Sequence, residues 1–84
     1  MIQLIFSVKD RAADAFGRPL FVPSAGLAIR SFSDEVNRDA ADNQMFHHSD
    51  DFDLYELGSF DDSTGMITSH PQPVQRALGK QVKV

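Results

Sequence analysis

The chain has 84 residues, of which 42% are apolar and 24% charged, with a net charge of −4 and no cysteine. That length makes one small domain, and the apolar share is high enough to exclude a disordered chain. The missing cysteines exclude a disulfide scaffold, a thiolate nucleophile and any cysteine-held zinc or iron–sulfur site.

No apolar run reaches the roughly 18 residues needed to span a membrane. Met1 to Val8 alternates and ends in Lys9 and Asp10, unlike a signal peptide. A soluble, intracellular protein is the expectation.

Ile2, Leu4, Phe6 and Val8 recur with period two, with Gln3, Ser7 and Lys9 between them, which predicts a half-buried first strand. Ile5 breaks the polar side and asks for a partial cover there. Asp10 to Gly17 is mixed in character and reads as a loop with one turn. Gly17-Arg18-Pro19 is a turn. Leu20 to Val22, bracketed by Pro19 and Pro23, is a short extended piece at a sheet edge.

A helix follows. Ser24 is a suitable N-cap, with Leu27 where a capping box would place glutamate or glutamine. Ala25, Ala28, Ile29, Phe32 and Val36 form one apolar stripe at helical spacing. Arg30, Ser31, Asp34, Asn37 and Arg38 flank it or face away. Asp39 to Gln44 ends the helix in a polar loop, and Met45 to Asp51 continues as a loop rich in histidine and aspartate. Phe52 to Phe60 reads as the longest strand, with apolar residues on both faces, and Gly58 points to a bulge or a close backbone approach. Asp61 to Gly65 is a tight turn and Met66 to His70 the returning arm of a hairpin. Pro71 and Pro73 are expected to end regular structure, with a helical turn near Arg76 to Leu78 and a frayed or partner-bound tail.

The expected architecture is α+β: a small three- or four-stranded, mostly antiparallel sheet with one helix packed on one face. Ile29, Phe32 and Val36 would pack on Leu4, Phe6, Leu54 and Phe60. Residues 1–70 would form the domain and 71–84 a basic tail that folds onto the body or a partner. Ile5, Tyr55 and Leu57 would point to the second sheet face, whose cover is the tail or a second subunit; a homodimer is expected on this ground. A parallel pairing of strands through the helix crossover stays open.

Candidate sites have to be weighed against plainer roles. His47, His48 and Asp50, with His70 approaching from the hairpin, have ligand chemistry for a first-row metal. Adjacent histidines on extended backbone point apart, however, so a polar surface loop is the better reading and no metal is expected. The aspartates at 50, 51 and 53 and at 61 and 62 lack the spaced ligand series of a calcium loop, and the second pair fits a turn. Ser24, Ser49 and Ser63 stand in no nucleophile elbow. No phosphate loop or dinucleotide fingerprint is present. A non-enzymatic protein without cofactor is expected.

Charge is uneven along the chain. Residues 1–70 hold five basic and twelve acidic side chains, whereas residues 71–84 hold Arg76, Lys80 and Lys83 and no acid. An acidic body repels nucleic acid at long range, but local arginine and lysine suffice for phosphate contact. The candidate nucleic-acid-binding residues are Arg30, Arg38, Arg76, Lys80 and Lys83. Arg30 and Arg38 on or near the helix, and Arg11 and Arg18 flanking the first loop, would combine with Lys9 into a shallow basic patch, and Phe16, Phe46 or Tyr55 can stack on bases if exposed. The plainer alternative is salt-bridged surface and core aromatics.

Three stretches carry a family resemblance: Ile2 to Lys9 with Asp10; Pro23-Ser24-Ala25-Gly26-Leu27-Ala28-Ile29-Arg30-Ser31-Phe32-Ser33-Asp34 with Val36-Asn37; and Asp53-Leu54-Tyr55-Glu56-Leu57-Gly58-Ser59-Phe60-Asp61-Asp62-Ser63-Thr64-Gly65. Together they resemble the small non-structural protein of gokushovirus-type microviruses, the small single-stranded DNA phages. They span most of residues 1–70; the tail from Pro71 matches poorly. The resemblance implies a phage protein made in the host cytoplasm, absent from the mature virion, and acting in genome replication, packaging or the switch to single-stranded synthesis. It implies single-stranded DNA, or phage and host replication proteins, as partners, and brings no catalytic residues. The acidic body favours the alternative of a protein–protein adaptor that binds no nucleic acid.

Overall fold

The computed structural model describes all 84 residues. Five strands form one antiparallel sheet: β1 (Ile2–Asp10), β2 (Ala15–Phe16), β3 (Leu20–Val22), β4 (Phe52–Asp61) and β5 (Met66–Leu78). The main path is β2-β1-β4-β5, and β3 also pairs with β1. All pairings are antiparallel, which closes the question of a parallel pair: β3 and β4 both run opposite to β1, and the helix between them crosses over it. The fold is thus the expected α+β sheet with one dominant helix. No helix is long and apolar enough to cross a membrane.

That helix is α1 (Ala25–Val36). Ser24 is extended, at φ −153°, and its Oγ accepts from the Leu27 N–H at 3.3 Å. Alanine at Ser24 is expected to cost about 1 kcal/mol, a fall in Tm of about 4–8 °C for a domain of this size; no change in Tm would show that the cap is dispensable. The stripe does what its spacing predicts. Ala28, Phe32 and Val36 are buried with Phe6, Leu54 and Ala77, and Leu4, Val8, Leu20, Val22, Ala25 and Ile29 pack around them. Phe6, Leu54 and Val36 are the largest fully enclosed apolar side chains.

Phe60 is not in this core. On β4, Ile5 of β1 stands opposite Gly58 and Phe6 opposite Glu56, so Leu57 is an extra residue and the register shifts there. A one-residue bulge exchanges the faces of everything beyond it. Phe60 therefore lies on the side away from α1, ring to ring with Phe21 at 5.7 Å.

The second difference concerns the C-terminal segment. Pro71 and Pro73 do not end the hairpin; β5 runs on to Leu78, at 13 residues the longest strand. Both prolines fall where β5 leaves its register, between Ser69 opposite Gly58 and Val74 opposite Glu56. Proline lacks an amide hydrogen, which an edge strand tolerates at a bulge. The helical turn expected near Arg76 lies later, as α3 (Gly79–Val82). Asn37 docks the chain end on α1: its Nδ2 donates to Val82 O at 2.9 Å and its Oδ1 accepts from the Val84 N–H at 2.8 Å. Residues 71–84 thus fold onto the body.

The expected loop over residues 45–51 is also more regular than its composition indicates. It holds α2 (Gln44–His47) and a 3-10 turn over Ser49–Asp51. Buried Asn43 organises it, donating to Glu35 O and Arg38 O, both at 2.8 Å, and accepting from the Met45 N–H.

Candidate functional site

The sheet has two faces of different character. Leu4, Phe6 and Val8 of β1 face α1, so Gln3, Ile5, Ser7 and Lys9 face away. Beside them on β4 stand Phe60, Gly58, Tyr55 and Asp53, and beyond these on β5 stand Ile67, Ser69, Gln75 and Leu78. On the other flank, Phe21 is opposite Ile5 and Phe16 opposite Lys9. No helix covers this outer face, and its apolar residues protect one another. Phe16 meets Tyr55 edge to face at 5.5 Å and Phe21 meets Phe60 at 5.7 Å. Ile5 and Ser7 are buried, while Phe16 stays 42% exposed, Phe21 48% and Ile67 58%. Gln75 Nε2 donates to the Tyr55 hydroxyl at 3.3 Å.

The outer face is poor in acid. Among its strand residues Asp53 is the one carboxylate, and it is buried against Arg11, whose Nε donates to Oδ2 at 3.1 Å. Arg11 also donates through Nη2 to Asp50 O, and the other Asp53 oxygen, Oδ1, has no partner. Lys9 Nζ lies 5.6 Å from the Phe16 ring centroid and 3.5 Å from exposed Asp14. Arg18 is exposed in the connection between β2 and β3 and forms no ion pair. Of the other acidic residues, Asp34 and Glu35 lie on α1, Asp50 and Asp51 in the 3-10 turn that Arg11 bonds, and Asp61 and Asp62 at the hairpin end.

A second cluster fastens β5 to β4. Glu56 is 8% exposed and receives His70 Nε2–H at Oε2 (2.6 Å) and Arg76 Nε–H at Oε1 (3.1 Å). Burial pushes this carboxyl up, but the hydrogen bonds and charges of His70 and Arg76 outweigh that and hold it below its usual 4.5. His70 and Arg76 flank the segment in which β5 leaves its register, so Glu56 ties down both ends of the proline-containing bulge. His70 is thereby committed to Glu56 rather than to His47 and His48, and no group of three or more potential ligands surrounds a metal position.

The five basic residues singled out from sequence have different surroundings. Arg38 grips Glu35 through Nε and Nη2, the latter at 2.6 Å, and its guanidinium holds the Glu35 carboxyl low. Arg30 shares with Arg38 a shallow depression on α1 in which Asp34 and Glu35 offset them. Arg76 is spent on Glu56. Lys83 donates to Phe46 O at 3.1 Å, and its Nζ lies 4.2 Å from the centroid of that ring. Lys80 is exposed and unpaired.

Phe16 and Tyr55, named from sequence as stacking candidates, do stand together, with Lys9 against Phe16. Phe60 was not legible as part of this face, because the bulge at Leu57 reverses its parity, and the place of Phe21 depends on the register of β3 against β1. The glycine at 58 was the bulge's one sequence signal.

No curated protein and no solved structure matches the chain. A family model does match, over residues 3–82, and it takes in the sheet, the helix and the docked C-terminal segment together. The chain is a member of the Phage ORF5 protein family.

Proposed function

We propose that the protein is a non-enzymatic accessory factor of a single-stranded DNA phage of the gokushovirus type, working in the host cytoplasm on genome replication or packaging through contact with single-stranded DNA. The outer sheet face supports this reading most directly. It presents exposed aromatic rings, with Lys9 against Phe16 and exposed Arg18 in the connection that follows, and its one strand carboxylate is buried. Rings on an open sheet stack on unpaired bases, and local cations meet phosphates even where net charge is negative.

Titration of the purified protein against a labelled single strand and its duplex, at about 50 and 200 mM salt, tests this. Saturable binding to the single strand, weaker at the higher salt, is expected. Alanine at Lys9 and Arg18 together should flatten the salt dependence by about one ion per residue removed. Equal binding to duplex, or an affinity untouched by the two replacements, would count against the face.

A second reading, the adaptor that binds protein alone, draws on a different feature. A half-enclosed cavity of about 190 Å³ lies between α1, β1, β3 and α2, lined by Val8, Leu20, Phe32, Met45 and Leu54 with Ser31 and Glu35 among its walls. It is of a size to take one apolar side chain. A homodimer remains part of the proposal, and the solution mass measured alongside the titration decides it.

A further inference from the structure

Phe16 and Phe21 are two separate platforms rather than one patch. Phe16 pairs with Lys9 and Phe21 with Ile5, four positions apart on β1, which sets them about 13 Å apart along the strand. Each is braced by its own partner ring, Tyr55 or Phe60. Between them the face sinks to Ser7, buried and donating to Gly17 O at 2.7 Å, and to Gly58. Unpaired Arg18 lies in the short connection joining the two platforms.

Neighbouring bases in a duplex stack about 3.4 Å apart, and an unstacked strand extends to roughly twice that per nucleotide. A gap of about 13 Å therefore corresponds to two extended nucleotide steps. We infer that the sheet face binds single-stranded nucleic acid in a fixed three-nucleotide frame: one base stacks on Phe16, the next-but-one stacks on Phe21, and the backbone between them passes the Arg18 connection. The frame rests on the reading of the outer face as a nucleic-acid surface and adds its spacing. A duplex cannot occupy it without unstacking, so the spacing itself selects single strands.

The test measures binding of thymidine oligonucleotides of two and six nucleotides to the wild type, Phe16→Ala, Phe21→Ala and the double variant. Both rings are exposed, and unchanged circular dichroism and Tm would verify that each variant keeps the fold. On the hexamer each single replacement should cost about tenfold in affinity and the double about a hundredfold. On the dinucleotide, too short to span both rings, each single replacement leaves the other ring as a site and should cost about twofold, and the double variant about tenfold. Losses that multiply equally on both lengths would overturn the frame while leaving the face as the binding surface. Hexamer binding indifferent to both rings would overturn the frame and the face. No binding of either oligonucleotide would overturn the nucleic-acid reading with it and turn the rings over to a protein partner or a second copy.

Discussion

Replacing Gly58 with alanine is expected to destabilise the fold by about 3 kcal/mol, the upper end of overpacking costs, and to lower Tm by about 15 °C. A Cβ at this position would overlap the carbonyl oxygen of Thr68 on β5 and come within 3.0 Å of the Ser69 Cα. Both obstacles are backbone, so no side chain can swing aside, and β4 and β5 would have to separate. The damage reaches the outer face, because Gly58 sits at the shift that turns Phe60 and Ile67 toward it. Binding should therefore fall together with Tm. Gly26→Ala supplies the opposite sign. Its Cβ would meet only the Ser24 hydroxyl at 4.0 Å, and alanine in a helix is favoured by up to about 1 kcal/mol. Thermal melts of the two variants check the pair; a Gly58→Ala protein as stable as wild type would show that the close approach of the two strands is not maintained in solution.

Glu56→Gln is expected to cost about 2 kcal/mol at neutral pH, a loss on the scale of hydrogen bonds to a charged group. The amide keeps the shape but gives up the charge that faces His70 and Arg76. His70 and Arg76 are part-exposed, so the cost should stay below that of a fully buried pair. The pH dependence identifies the source. The Glu56 carboxyl titrates lower in the folded chain than its usual 4.5, so the unfolded chain takes up its proton first. Its contribution is complete above that usual value and is lost as pH falls through the lower, folded one. Wild type and variant should differ fully at pH 7 and converge in acid. Urea melts at pH 7 and near pH 3 measure this. A gap that stays constant would assign the loss to packing rather than to ionisation. Because His70 and Arg76 bracket Pro71 and Pro73, the loss should appear first in the amides of β5, where hydrogen exchange can detect it.

These two positions also mark where sequence reading and structure part. The period-two pattern from Ile2 to Val8, the helical stripe from Ala25 to Val36 and the Ser24 cap were legible because each depends on neighbours within a few residues. So was the edge character of Leu20 to Val22, written in its flanking prolines. Phe60 was misplaced because a bulge is a property of two strands together: Leu57 is extra only relative to β1. Pro71 and Pro73 read as terminators because proline ends a ladder, yet on an edge the missing donor has no neighbour to disappoint. Their side of the sheet could be known only once β5 was seen outermost.

The candidate site divides in the same way. Phe16, Tyr55, Lys9 and Arg18 could be named from the chain, since residue type and local spacing identify a ring or a cation that can stack or pair. What removed Arg38, Arg76 and Lys83 from the free basic surface was contact with Glu35, Glu56 and Phe46, two of them more than eighteen residues distant in sequence. By itself the sequence determined the α+β class, the helix and its buried stripe, the hairpin and the excess of acid, for these follow from local periodicity and composition. Only the tertiary structure decided which face each side chain took beyond the bulge, which cations are held in ion pairs, and that the one carboxylate among the open face's strand residues is buried against Arg11. Register and ion pairing are relations between segments remote in the chain, and they exist only once those segments are in contact.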